Sequence, residues 1–188
     1  MYKYGDFNFN FISDLGVFSK DKVDYGSKLL IENYFKLGTK NKKVLDVGCG
    51  YGLIGITISK IMESNVDMID VNKRAIHLAN MNIKNALVNA KAFESDIYEN
   101  IKDKYDVIIS NPPIRAGKKV YMSIIEKSIE HLTEKGEFWF VVNKDQGAKT
   151  IIEKIKNIYE VNVLEKSKGF FVILCKKHWQ HNFLLIKF

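Results

Sequence analysis

The sequence predicts an α/β protein: one Rossmann-like domain with a seven-stranded, mostly parallel sheet, helices on both faces, and an N-terminal hairpin and helix. Three observations predict it. From Lys43 onward, short apolar runs rich in β-branched residues alternate with segments of helical period, the signature of βαβ units. A glycine-rich turn, Gly50-x-Gly52-x-x-Gly55, joins the first of these runs to the first helical segment. The last two runs are separated only by Lys166-Ser167-Lys168-Gly169, too short for a crossover, so they pair as an antiparallel hairpin.

Each element follows in order. Residues 2–12 alternate aromatic and polar side chains around Gly5-Asp6, which reads as a small hairpin with an aromatic face. Residues 13–35 are helical in their second half. Strands are expected at 43–47, 66–70, 90–95, 105–110, 137–142, 160–165 and 170–176. Between them, 53–62 carries apolar residues at helical spacing, and 72–85 puts Ile76, Ala79 and Ile83 on one stripe behind an Asn72 cap. A third helix, 121–132, ends before a turn at 133–137, and a further helix covers 146–159. The whole chain, 1–188, is expected to be a single domain. It divides into an extension at 1–40 covering the substrate side, a cofactor-binding core at 41–177, and a tail at 178–188 that fits no unit.

Composition narrows the function classes. No run of 18 apolar residues exists and the first residues lack an export-signal layout, so a cytoplasmic protein with no membrane partner is expected. Cys49 and Cys175 lie far apart without C-x-x-C spacing, which predicts free thiols. His178 and His181 at i,i+3 have no acid nearby and are by themselves a weak signal, so no metal is expected. The net charge of +7 permits a polyanionic partner. Only Arg74 and Arg115 among the 29 basic residues are arginine, and the abundance of lysine discounts that inference.

Chemistry concentrates at the ends of the predicted strands. Gly48, Gly50 and Gly52 form a loop that lets backbone approach a ligand. The pattern alone fits a dinucleotide equally well. Asp46 decides between them: a carboxylate beneath the loop repels a pyrophosphate but suits a cationic, amine-bearing cofactor, S-adenosylmethionine. Asp70, followed by Val71, ends the second strand 24 residues later, where an acid accepts hydrogen bonds from ribose hydroxyls. Asp96 follows the third strand and is placed to accept from an adenine amino group, with Ile97 as an apolar wall. Three acids at three successive strand ends occupy the edge where open α/β sheets bind ligands. Cys49, Tyr51 and Trp139 read as packing residues.

The motifs "DVGCGYG", "IDVN", "ESDIY" and "SNPPIRAGK", with "GVFSKDKVDYGSKLL" at 16–30 and "NKDQGAK" at 143–149, resemble class I methyltransferases of the RsmC-like group, which methylate guanine N2 in ribosomal RNA. The resemblance covers about residues 16–176. It implies strand order 3-2-1-4-5-7-6 with the seventh strand antiparallel, S-adenosylmethionine as cofactor with S-adenosylhomocysteine as product, and a role in rRNA processing. It also implies ribosomal RNA or a ribosomal subunit as partner, with the enzyme a monomer or weak homodimer. Members often carry a second, cofactor-free copy of the domain, whereas one copy is expected here.

The Asn111-Pro112-Pro113 turn, the NPP motif, carries the catalytic reading. An aromatic exocyclic amine is a poor nucleophile because its lone pair is delocalised into the ring. The Asn111 side-chain oxygen and the Pro112 carbonyl can accept its two N–H bonds and aim the lone pair at a methyl carbon. Asn111 also borders the cofactor, and the prolines stiffen the turn so that carbonyls face the site. Ile114, where related adenine-N6 and glutamine methyltransferases place an aromatic residue, favours the guanine branch. Phe18 is the candidate stacking platform, and Arg115 and Lys118 are candidate phosphate contacts. Gln146 and Gly147 are expected at the edge of the substrate cleft. The alternative is an N-methyltransferase of another class, acting on adenine N6, protein glutamine or a small molecule.

Overall fold

The computed structural model describes residues 1–14, 24–113 and 117–178. A short hairpin of β1 (Tyr2–Tyr4) and β2 (Phe7–Phe9) turns at Gly5-Asp6 and leads to helix α1 (Tyr25–Leu37). The core then runs β3 (Lys43–Val47), α2 (Leu53–Met62), β4 (Asn65–Asp70), α3 (Lys73–Ala86), β5 (Ala90–Glu94), β6 (Tyr105–Ser110), α4 (Lys118–His131) and β7 (Leu132–Asn143). A 3-10 turn (Lys144–Gln146), α5 (Ala148–Ile155), β8 (Tyr159–Ser167) and β9 (Phe170–Lys177) complete it.

The sheet order is β5-β4-β3-β6-β7-β9-β8. Counted from β3, this is the expected 3-2-1-4-5-7-6. Strands β3 to β7 pair in parallel, and only β9 runs against its neighbours β7 and β8.

The central strands read as continuous apolar runs because both faces of the sheet are covered. Alternate residues go to opposite layers. Val44, Val107, Ile109 and Trp139 meet α1, α2, α3 and the hairpin, whereas Leu45, Ile108, Phe138 and Phe140 meet α4 and α5. Trp139 is fully buried and meets Tyr34 of α1 edge-on, with ring centroids 5.2 Å apart and planes at 86°. That contact fixes α1 against β7.

The hairpin is tied to the core through a buried amide. Asn82 of α3 accepts from the Ile12 N–H at 2.7 Å and donates to the carbonyls of Ile12 and Tyr51, both at 2.9 Å. Phe11 packs edge-on against Tyr51 at 5.6 Å, and Asp14 pairs with Arg74.

Several boundaries differ from the sequence reading: the helix expected over 146–159 is only Ala148–Ile155, with Tyr159 already in β8, and two others have a local cause. The expected turn at 133–137 lies inside β7, because Leu132 already pairs with Tyr105 while Glu137 pairs with Val107. The extra residues form a bulge. Helix α4 begins at Lys118 rather than 121, behind Gly117 at φ +92 and with no side-chain cap. Both cysteines are free and buried. Among the described residues, no helix is long and apolar enough to cross a membrane.

Candidate functional site

In an open parallel sheet the ligand crevice opens where the strand order reverses, here at the carboxyl ends of β3 and β6. Ser110 latches the two ends by donating to the Val47 carbonyl at 2.7 Å. After β3 the chain passes through Gly48, Gly50 and Gly52, all at positive φ, a path that side chains other than glycine adopt only under strain. Gly48 and Cys49 both donate to the Ile69 carbonyl, and Gly50 donates to Asp70 Oδ2 at 3.0 Å. The loop is therefore anchored to the end of β4.

Asp46 lies beneath the loop and is wholly buried. Its Oδ2 accepts from the Gly55 N–H at 2.9 Å, while Oδ1 has no hydrogen-bond partner. Burial raises its carboxyl from 3.8 to about 7; the Gly55 bond opposes this and the Asp70 charge adds to it. A buried carboxyl with one unpartnered oxygen beneath a glycine loop can take a proton, a hydrogen-bond donor or a nearby cation.

Gly55 allows helix α2 to sit on this acid. A Cβ there meets Met68 Sδ at 2.4 Å and Cγ at 2.6 Å, and Asp46 Oδ2 at 3.1 Å. Gly55→Ala is expected to cost about 1–3 kcal/mol of stability by overpacking, measured by chemical denaturation.

Asp70 closes the loop from the β4 side, its Oδ1 accepting from the Asn72 N–H at 2.9 Å. Val71 beside it is 65% exposed, an apolar side chain held in solvent on the ligand edge. The Ser95 N–H donates to the Asp70 carbonyl at 3.1 Å and brings the next strand end alongside. Ile97 there stands at φ +50, unusual for a β-branched residue. Buried Ser95 holds the turn, donating to the Ile97 carbonyl and accepting from the Asn100 N–H, both at 3.1 Å. Asp96 is exposed, and with Ile97 it borders an open cavity of about 350 Å³ shared with Lys127 and His131 of α4.

The turn after β6 sits directly against the glycine loop: a Cβ on Gly48 is 3.5 Å from Pro113 Cδ. Pro112 is buried and lines a cavity of about 10 Å³ with Tyr121 and Gln146. Asn111 Nδ2 donates to Asp24 Oδ2 at 2.7 Å and to Ser27 Oγ at 2.9 Å. Among the described residues nothing donates to Asn111 Oδ1.

The structure thus brings Asp46, Gly48, Gly50, Gly52, Asp70 and the turn 111–113 into one site, with Asp96 and Ile97 joined to it through Ser95. Lys118 is exposed at the start of α4 without a described contact to the site. Phe18, Ile114 and Arg115 lie outside the described residues. Sequence reasoning missed Asp24, Ser27, Ser95 and Asn82. Asp24 and Ser27 are contained in the 16–30 motif, which was the available signal for them.

Comparison with known proteins identifies the family of the chain. The family model for the methyltransferase small domain matches residues 8–174. Uncharacterized protein YbxB of Bacillus subtilis (strain 168) is 46% identical over 175 residues, 90% of this chain and 87% of that protein. Ribosomal RNA small subunit methyltransferase C of Psychromonas ingrahamii is 32% identical over 166 residues, 85% of this chain and 46% of the relative. The chain spans about half the length of that relative. A solved structure of the T. thermophilus 16S rRNA N2 methyltransferase RsmC, in complex with AdoMet and guanosine, matches with a TM-score of 0.77. It is 25% identical, with coverage of 86% of this chain and 45% of that one.

Proposed function

Because the chain belongs to the methyltransferase small domain family, we propose that it transfers a methyl group from S-adenosylmethionine to the exocyclic N2 amine of a guanine in ribosomal RNA. The observation that carries the reading is the amide acceptor Asn111 Oδ1, fixed on a turn that packs against the glycine loop.

The residues present fit the cofactor. The orphaned Oδ1 of buried Asp46 suits a positive charge at the loop, and Asp70, Val71, Asp96 and Ile97 offer polar and apolar contacts in the order a nucleoside requires. Bound S-adenosylmethionine supplies an electrophilic methyl carbon on a cationic sulfur. Asp46 acts on that cation through its field, since its carboxylate is under the loop and not in the mouth.

The remaining chemistry belongs to the turn. Asn111 Oδ1 and the Pro112 carbonyl accept the two N–H bonds of the substrate amine and draw its lone pair out of conjugation. Pro113 contributes no N–H, so the turn offers acceptors only. No strong base is needed, because the amine proton acidifies as positive charge builds on nitrogen and is released to water once the methyl group has moved. Exposed Lys118 and Lys119 at the start of α4 are available to RNA phosphates.

RNA as substrate is supported by the relatives named as ribosomal RNA methyltransferases, and guanine by the guanosine bound to RsmC. The test is transfer of labelled methyl groups to small ribosomal subunits, or their RNA, from a strain lacking this gene, followed by nucleoside analysis. Labelled N2-methylguanosine is the expected product. Labelled N6-methyladenosine or labelled protein overturns the guanine assignment, and no cofactor binding by calorimetry overturns the enzyme reading.

A further inference from the structure

Asn111 is held by a helix 87 residues away in sequence. Both hydrogens of its amide are consumed, one by Asp24 Oδ2 and one by Ser27 Oγ. The same Asp24 oxygen accepts the Ser27 N–H at 2.9 Å and caps α1. Asp24, Ser27 and Asn111 thus form a closed triangle, its third side the backbone N–H of Ser27, at the start of a helix fixed against β7 by Tyr34 and Trp139.

The triangle has a direction. An ionised carboxylate only accepts hydrogen bonds, so it tolerates Nδ2 and rejects Oδ1. A flipped amide sets oxygen against carboxylate and turns N–H groups toward an amine that needs acceptors. We infer that Asp24 and Ser27 are positioning residues that lock the Asn111 amide with its oxygen toward the substrate, making the N-terminal extension part of the catalytic site. The inference rests on Asn111 as the acceptor of the substrate amine.

Asp24→Asn separates this role from helix capping. Asparagine caps a helix as well as aspartate, but it brings a competing NH2 group and removes the charge that sets the amide direction. In full-length protein with undermethylated small subunits, single-turnover transfer is expected to fall 10- to 100-fold in Asp24→Asn. Cofactor Kd and melting temperature should stay close to wild type. Ser27→Ala should lose 3- to 10-fold. Nuclear magnetic resonance supplies a readout independent of substrate: the side-chain amide of Asn111 should exchange with solvent at least tenfold faster in both variants.

Transfer and amide exchange at wild-type levels in Asp24→Asn overturn the inference. Should that variant melt early, Ser27→Ala decides by the same two measurements. Failure of the underlying reading looks different, because Asn111→Ala would then remain active.

Discussion

Asn111→Ala is expected to lower single-turnover methyl transfer at least about 10³-fold while leaving S-adenosylmethionine affinity within about threefold. On the proposed mechanism, truncation removes the side-chain acceptor of the substrate amine, so its lone pair stays conjugated with the ring and the reacting atoms lose alignment. The Pro112 carbonyl alone cannot accept both N–H bonds in the required geometry. The variant also takes a donor from Asp24 and from Ser27, and a stability loss of about 1–2 kcal/mol should accompany it. Isothermal calorimetry with the cofactor and rapid-quench transfer on undermethylated subunits check the two halves separately. Loss of both activities would make Asn111 structural.

Asp46→Asn is expected to move stability and binding in opposite directions. The Asp46 carboxyl is raised from 3.8 to about 7 by burial, so between those values the folded protein holds a proton that the unfolded chain has released. Stability therefore declines as pH rises through that window and levels off above about 7. The asparagine variant carries no such penalty. It should gain on the order of 4 kcal/mol over wild type at pH 8 and almost nothing near pH 4, read from denaturation midpoints. Cofactor binding responds with the other sign. A cation at the loop prefers ionised Asp46, so wild-type affinity should rise by up to about tenfold per pH unit below 7 and flatten above it. The variant should bind at least about 30-fold more weakly at pH 8 and show no such rise.

How much was legible depended on how local each feature is. The strands of the core announce themselves because burial on both faces leaves apolar runs such as 105–110 bounded by polar turns. The glycine loop and the acids at 46, 70 and 96 are legible because each sits at a strand end, so sequence position already gives spatial position. The start of β7 was missed because Thr133, Glu134, Lys135 and Gly136 have turn composition, while the pairing of Leu132 with Tyr105 across the bulge is a tertiary choice. The start of α4 was missed because Lys118 and Lys119 are exposed and uncapped, leaving no periodic signal. Asp24 and Ser27 read as an ordinary helix start, and only the docking of α1 brings them to Asn111. Ser95 gave no signal, since a buried serine that braces a turn resembles any serine after a strand.

The clasp made by Asn82 bears on how this domain can be cut and exchanged. One amide binds the backbone of Ile12 and of Tyr51, so the N-terminal segment and the glycine loop share a fastener carried by a third element. Residues 1–14 are accordingly not a detachable tag. A chimera that imports this segment from another methyltransferase must bring a compatible residue at position 82 with it, or leave a buried amide half-satisfied beneath the glycine loop.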